Sequence, residues 1–346
     1  MRKSAKNRLS VKRLQEHGSL TIMSLWMLAL LSLLAMGLIR NVLMEFRLNT
    51  YELRAEEATW LARAGIQQAI AVLKEDLVAD SLQFHDAFPE PWAHNPALFK
   101  RVACGNGFFD VAYETNLEQV GRSYLFGICD ENRKINVNRV PKEILGRLPG
   151  MNQEKSAALL DWRDQDSKPR NGGAEDGYYQ SLLHPYRCKN ADFDFVEELA
   201  LVRGFSSEQV RVLAPLVTVF GDGSVNINTA PAEVLEILGL NKKLARRIVT
   251  ARWGPDGIPF TADDLVIKSP DEIVTSLTQW TKLKPVEQLL LHRLVGEHLL
   301  DVRSTHFTIE SVGVTLNGEV RRKVSATVER LSPKEVNVVS WKEMGT

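Results

Sequence analysis

From Leu20 to Ile39 the chain carries no charge, no proline and one glycine, Gly37. As a helix such a run spans roughly 30 Å, the thickness of bilayer hydrocarbon. Arg2, Lys3, Lys6, Arg8, Lys12 and Arg13 precede it, and a basic cluster of this kind stays on the cytoplasmic side. The bulk of the chain is therefore expected to face away from the cytoplasm. A cleaved secretory signal would have a shorter apolar region and a small-residue cleavage site. Here Arg40, Glu45 and Arg47 follow and the helical pattern continues.

Ile66, Ile70, Leu73 and Leu77 recur at intervals of four, three and four, the spacing of one helix face. No proline interrupts Ser19 to Asp80, which predicts one rod of roughly 90 Å. Taken alone, this stretch also fits an ordinary signal anchor with a polar stem. After it, Pro89, Pro91 and Pro96 with Trp92 and His94 mark an irregular connector. Phe108–Thr115 and Arg122–Cys129 have strand composition around a polar loop, Asn116–Gly121. Strand patterning returns at His306–Leu316 and Glu319–Leu331, around the hairpin signal Asn317-Gly318, and again at Val336–Trp341.

Between Asp130 and His306 helical signals dominate and repeat. Asn136, Asn138, Pro141, Glu143 and Leu145 stand at the same offsets as Asn226, Asn228, Pro231, Glu233 and Leu235. The prolines suit a first helical turn, where a missing N–H costs nothing. Each copy continues through a Gly-centred turn into a second helix, Glu154–Arg163 or Lys243–Arg252. Both resemble the helix-hairpin-helix motif, which can grip phosphate through a Gly-x-Gly turn. Asn152 and Asn241 replace the second glycine, although Lys242, Lys243, Arg246 and Arg247 keep a DNA reading open.

A formal net charge of zero gives no global field for nucleic acid. Cys104, Cys129 and Cys188 match no zinc spacing and cannot all pair. A Cys104–Cys129 bridge between neighbouring strands and buried free thiols both remain open. No nucleophile elbow, zincin motif or phosphate loop is present, so an assembly protein rather than an enzyme is expected. Asp161, Asp164, Asp166, Glu175 and Asp176 cluster along a loop bearing Gly172, Gly173 and Gly177. Hard oxygen ligands at irregular spacing suit calcium; a solvated acidic loop balanced by Arg163, Lys168 and Arg170 is the alternative. Asp256, Asp263 and Asp264 form a weaker counterpart in the second repeat.

The basic leader, Gly18 and the unbroken helix resemble the type IV pilin and pseudopilin family. That resemblance implies prepilin peptidase cleavage between Gly18 and Ser19, then methylation of the new amine. It places Met23 where most members carry glutamate, a departure characteristic of the minor pseudopilin K family of type II secretion. Asp161-Trp-Arg-Asp, Gly173-Ala-Glu, Tyr178-Tyr, Pro185-Tyr and Glu197-Glu-Leu, between two Asn-x-Asn-x-x-Pro elements, resemble that same family. The resemblance implies an α+β fold. A long pilin-like N-terminal helix packs on an antiparallel sheet, and a large, duplicated helix-hairpin-helix (SAM-like) all-α domain is inserted in that sheet.

The expected layout is a leader (1–18), the long helix (19–80, transmembrane 20–39), the first part of the sheet (81–130), the insertion (131–302, repeats 134–221 and 224–300) and the remaining sheet (303–346). The resemblance further implies a single-pass bacterial inner-membrane protein with a periplasmic C-terminal domain, at the pseudopilus tip and helping to initiate assembly. Expected partners are the I- and J-type minor pseudopilins, the major pseudopilin, the prepilin peptidase and the inner-membrane secretion platform, with no nucleic acid. Because this family is associated with calcium, it favours Asp164, Asp166, Glu175 and Asp176 as ligands. The competing reading is a membrane-anchored helix-hairpin-helix protein binding DNA during uptake.

Overall fold

A computed structural model describes residues 6–79, 85–117, 121–261, 263–316, 318–332 and 335–345. It divides into two units, Met1–Glu57 and Ala58–Thr346. Helix α1 (Lys6–Ala79) supplies the described part of the first unit and opens the second. Apolar side chains from Leu20 to Leu48 in the first unit are exposed. The Ser24 and Ser32 hydroxyls donate to the carbonyls of Thr21 and Leu28 at 2.9 and 2.8 Å. Their polar groups are thus satisfied inside the helix, as an apolar surrounding demands. The helix is long and apolar enough to cross a membrane. Gly18 and Ser19 lie on its helical backbone, and the Ser19 side chain lies outside those described. Asp80 also lies outside the described residues.

In the second unit the same helix turns amphipathic. Ala58, Ala62, Ile66, Ala69 and Leu73 are buried at helical spacing; the Leu77 side chain is not among those described. They cover an antiparallel sheet of β1 (Val102–Cys104), β2 (Gly107–Val111), β10 (His306–Thr315), β11 (Arg321–Ser332) and β12 (Glu335–Gly345). The sheet runs in that order, and β5 (Cys129–Asp130) also pairs with β10. Contact is close because side chains are missing where helix meets sheet. A Cβ on Gly65 would collide with the Ser311 hydroxyl, and one on Gly313 with the Ala58 carbonyl and the Ala62 backbone.

Sequence patterning identifies the early strands but not their partners. Strand β3 (Tyr113–Leu117) leaves the main sheet and, among the described residues, pairs with β4 (Gly121–Leu125) as a separate ribbon. Its loop residues 118–120, like Asn317 of the later hairpin, lie outside the described residues. Cys104 faces Gly107, which pairs with Thr315, whereas Cys129 pairs with Thr308. The intervening length of β10 is roughly 23 Å. A bridge needs Cα atoms within about 7 Å, so these thiols stay free.

The insertion is built twice. The first copy holds β6 (Ile135–Asn136), α3 (Lys142–Leu145), α4 (Gln153–Arg163), α5 (Asp176–Tyr179), α6 (Ser207–Leu213) and β7 (Val217–Thr218). The second holds β8 (Val225–Asn226), α7 (Ala232–Leu238), α8 (Lys242–Arg252), α9 (Ile273–Thr281), α10 (Pro285–Gly296) and β9 (Leu300–Asp301). A short 3₁₀ turn, Val196–Leu201, precedes α6, and α2 (Pro96–Phe99) lies in the connector. Each copy closes on a two-residue parallel pair, β6 with β7 and β8 with β9. Such short bridges carry no period-2 pattern, so they are invisible in the sequence. Pro141 and Pro231 cap α3 and α7 from one residue before the first turn.

The repeated asparagines and an unpredicted arginine explain the duplication. Asn138 donates to Phe193 O and accepts from Phe193 N; Asn228 does the same with Ile267. Arg163 donates to the carbonyls of Val137 and Val140, and Arg252 to those of Ile227 and Ala230. Each second helix is thereby pinned to its own Asn-x-Asn turn.

At the root of the insertion a buried network joins distant segments. Asn226 Nδ2 donates to Asp86 O (2.9 Å) and Ser304 Oγ (2.8 Å). Asp130 accepts from Thr229 Oγ1 and, at 2.7 Å, from Ser304 Oγ. Arg330 pairs with Asp86 and, at 3.0 Å, with Asp76 of α1.

Candidate functional site

Helix α4 ends at Arg163 with Asp164 as its C-cap, and the chain then loops to Glu175, the N-cap of α5. Trp162 meets Tyr179 and Tyr186 edge to face, with Trp162–Tyr179 centroids 5.2 Å apart, and the two tyrosine rings tilt against each other. The Trp-Arg-Asp, Tyr-Tyr and Pro-Tyr blocks thus meet in one aromatic cluster. Asp161 is wholly buried and accepts the Arg170 backbone N–H (3.1 Å) and its guanidinium (2.8 Å). A Cβ at Gly173 would strike the Asp161 carboxylate, so only glycine lets the loop pass so close. Asp161 therefore fastens the loop.

Carboxylate oxygens of Asp164, Asp166 and Glu175 lie within 4.8 Å of one another. Asp164 also pairs with Arg170. Even so, Asp164 Oδ1 and both Glu175 oxygens are buried without a hydrogen-bond partner. Burial pushes the Glu175 carboxyl up from its ordinary range, and Asp161, Asp164 and Asp166 push it the same way. Orphaned buried oxygens on converging acids are costly unless a cation satisfies them. The donor set is all oxygen, which fits calcium.

Two residues change place relative to the sequence reading. Asp176 is not in the cluster: its Oδ1 accepts the Cys188 N–H at 2.7 Å, at the head of α5. Asn190 meets the same loop through the backbone of Asp166. It adopts a left-handed backbone (φ 48°), its Nδ2 donates to Asp166 O at 3.1 Å, and its Oδ1 is another buried oxygen without a partner. It stands too far along the chain from Asp166 for spacing to reveal it; a left-handed asparagine brings it back.

Other acidic groups are already satisfied. Asp76, Asp86 and Glu90 also converge, but Arg330 and Ser304 N–H occupy the two aspartates, and Trp92 Nε1 donates to Glu90. In the second repeat, Asp263 takes the Asp256 N–H and the Thr261 hydroxyl, and Asp264 takes the Phe260 N–H at 2.8 Å. Those carboxylates are spent on their own loop. The Asn152 side chain caps α4 on Lys155 N (2.8 Å), and Asn241 caps α8 on Leu244 N (2.9 Å). Each hairpin fills with its own amide the helix terminus that a phosphate would need.

A membrane-length helix whose lower half packs on an antiparallel sheet defines a pilin-like subunit, here with a helical insertion. The family profile described as "Type II secretion system (T2SS), protein K" matches residues 138–222. A type II secretion system protein K from Pseudomonas aeruginosa is 30% identical over 276 residues, covering 76% of this chain and 78% of that one. The protein K of Klebsiella pneumoniae is 26% identical over 252 residues, covering 69% and 74%. The fold is similar to that in the crystal structure of the GspK-GspI-GspJ complex from enterotoxigenic Escherichia coli. The TM-score is 0.65 at 17% identity, over 86% of this chain and 99% of that chain. The chain belongs to the type II secretion system protein K family, the minor pseudopilins.

Proposed function

We propose that this protein is a single-pass inner-membrane subunit with its sheet and insertion in the periplasm, at the tip of the pseudopilus, where it helps to initiate assembly. One observation carries the reading: the helix from Leu20 to Leu48 exposes apolar side chains throughout. Such a surface needs lipid before assembly and neighbouring helices afterwards, and Ser24, Ala29, Ser32, Ala35 and Gly37 permit their close approach. Met23 supports the tip position. A subunit that starts a fibre has no earlier amine to neutralise, and a glutamate there would be an unpaired charge in an apolar core. Cleavage at Gly18–Ser19 by a prepilin peptidase, with methylation of the new amine, belongs to the same reading.

The composition of the similar GspK-GspI-GspJ complex supports I- and J-type minor pseudopilins as partners. The major pseudopilin and the inner-membrane platform complete the expected set. A pull-down from membranes tests this: co-isolation of the other minor pseudopilins should survive nuclease. Salt-sensitive retention on DNA without them would instead establish the DNA-uptake reading. Intact mass should place the mature terminus at Ser19.

Calcium is proposed as a structural ion held by Asp164, Asp166, Glu175 and Asn190, cancelling charge on a loop that cannot pack by itself. Full-length protein in detergent should melt higher with calcium than with chelator.

A further inference from the structure

The loop after α8, residues 254–265, is the second repeat's counterpart of the acidic loop after α4. It is tied to itself: the Ile258 N–H donates to Asp256 Oδ1 at 2.7 Å, and the Phe260 N–H to Asp264 Oδ2 at 2.8 Å. Phe260 takes a left-handed backbone, φ 69°, which a bulky side chain rarely adopts. Its ring lies 5.1 Å from that of Phe88, edge to face, and 5.1 Å from the tilted ring of His94. It also packs against Tyr113 and Leu125, the buried apolar pair of the β3–β4 ribbon. We propose that this loop is a latch: Phe260 closes it on the ribbon here, and its release frees ribbon and loop together.

A two-stranded ribbon is marginal by itself, and among the described residues β3 and β4 pair with each other. Backbone bonds fasten the chain on either side of it, Ala112 N–H to Glu310 O at 3.0 Å and Gly127 N–H to Val111 O at 3.1 Å. Within it, Tyr113 Oη donates to Ala93 O at 3.4 Å and Arg133 Nη1 to Thr115 Oγ1 at 3.4 Å, both long bonds. Apolar contact from Phe260 thus adds support where hydrogen bonding is weak. The strain decides how that support behaves. A left-handed phenylalanine costs energy that burial of its ring must outweigh, so the closed state holds by a narrower margin than an unstrained plug would give. Opening returns Phe260 to ordinary backbone and uncovers the ribbon, while the pairing of β10 with β11 is made elsewhere. The two copies have diverged accordingly: the first loop gathers carboxylates, and the second presents a ring.

Hydrogen exchange on full-length protein in detergent tests the latch. Amides of β3, β4 and residues 254–265 should exchange through one shared opening, with one denaturant slope, before those of β10 and β11. Phe260→Ala should speed exchange in ribbon and loop by about tenfold or more and leave β10 and β11 unchanged. Phe260→Leu, which keeps apolar bulk, should recover most of that protection. Phe260→Gly should melt above Phe260→Ala, because glycine relieves the left-handed strain. Ribbon amides that exchange only together with β10 and β11, or that ignore Phe260→Ala, overturn the proposal. Loss of β10 and β11 protection in the alanine variant overturns it too, making Phe260 a plain core residue. So does Phe260→Ala melting at or above Phe260→Gly, which would remove the strain that makes the latch releasable.

Discussion

Glu175 is buried near three aspartates, with no hydrogen-bond partner for either oxygen among the described residues. A ligand at a hundred times its Kd stabilises by about 2.7 kcal/mol. Calcium should then raise the melting temperature by about 5–10 °C for a domain of this size. Glu175→Gln and Asn190→Ala should abolish that rise, whereas Asp176→Asn should keep it; differential scanning calorimetry with and without chelator reads all three. A second residue sets a pH dependence. Burial, followed by repulsion from Asp76 and Asp86, lifts the Glu90 carboxyl to about 9. A carboxyl raised on folding contributes stability in full below its unfolded value, near 4.3, and loses it as pH rises through about 9. Thermal stability should therefore fall from pH 5 to pH 9, and Glu90→Gln should flatten that limb. Sequence displayed Asp164, Asp166 and Glu175 of the acidic loop because they cluster locally. It hid Asn190, whose approach depends on a turn, and it misplaced Asp176, whose carboxylate serves the backbone of Cys188.

Helices and strands were legible where one period persisted long enough to be read. The transmembrane run, the paired hairpins and the late strands all show such periods; the β3–β4 ribbon does not reveal its separation, because pairing is a tertiary choice. The repeats carry a device that neither period displays, an arginine driven into its own asparagine turn. Arg252 is fully buried with no salt bridge among the described residues, and burial lowers its pKa to about 9. Arg252→Met should cost several kcal/mol by leaving the Ile227 and Ala230 carbonyls unsatisfied, since each buried orphan costs about 1–3 kcal/mol. Arg163→Met should do the same in the first repeat, and amide exchange should show each loss confined mainly to its own copy. On the sheet, Gly313→Val should destabilise by about 3 kcal/mol or more, because the added carbons meet helix backbone, which cannot swing aside as a side chain would.

For the molecule as a whole, the insertion divides the sheet in the chain but not in space. Strand β2 pairs with β10, Asp110 opposite Val312, and the network at the junction draws Asp86, Asp130, Asn226, Ser304 and Arg330 together. Contacts this remote in sequence close late, because the entropy of the intervening loop must be overcome first. A chain emerging amino terminus first thus exposes β1 and β2 with an unpaired edge until the residues beyond His306 arrive. Both repeats, whose closing strands are internal to each copy, can finish folding in that interval. The waiting edge is the aggregation-prone stage of this protein's biogenesis. Early folding of the insertion should shorten the open loop that β2 must close, which favours completion of the sheet.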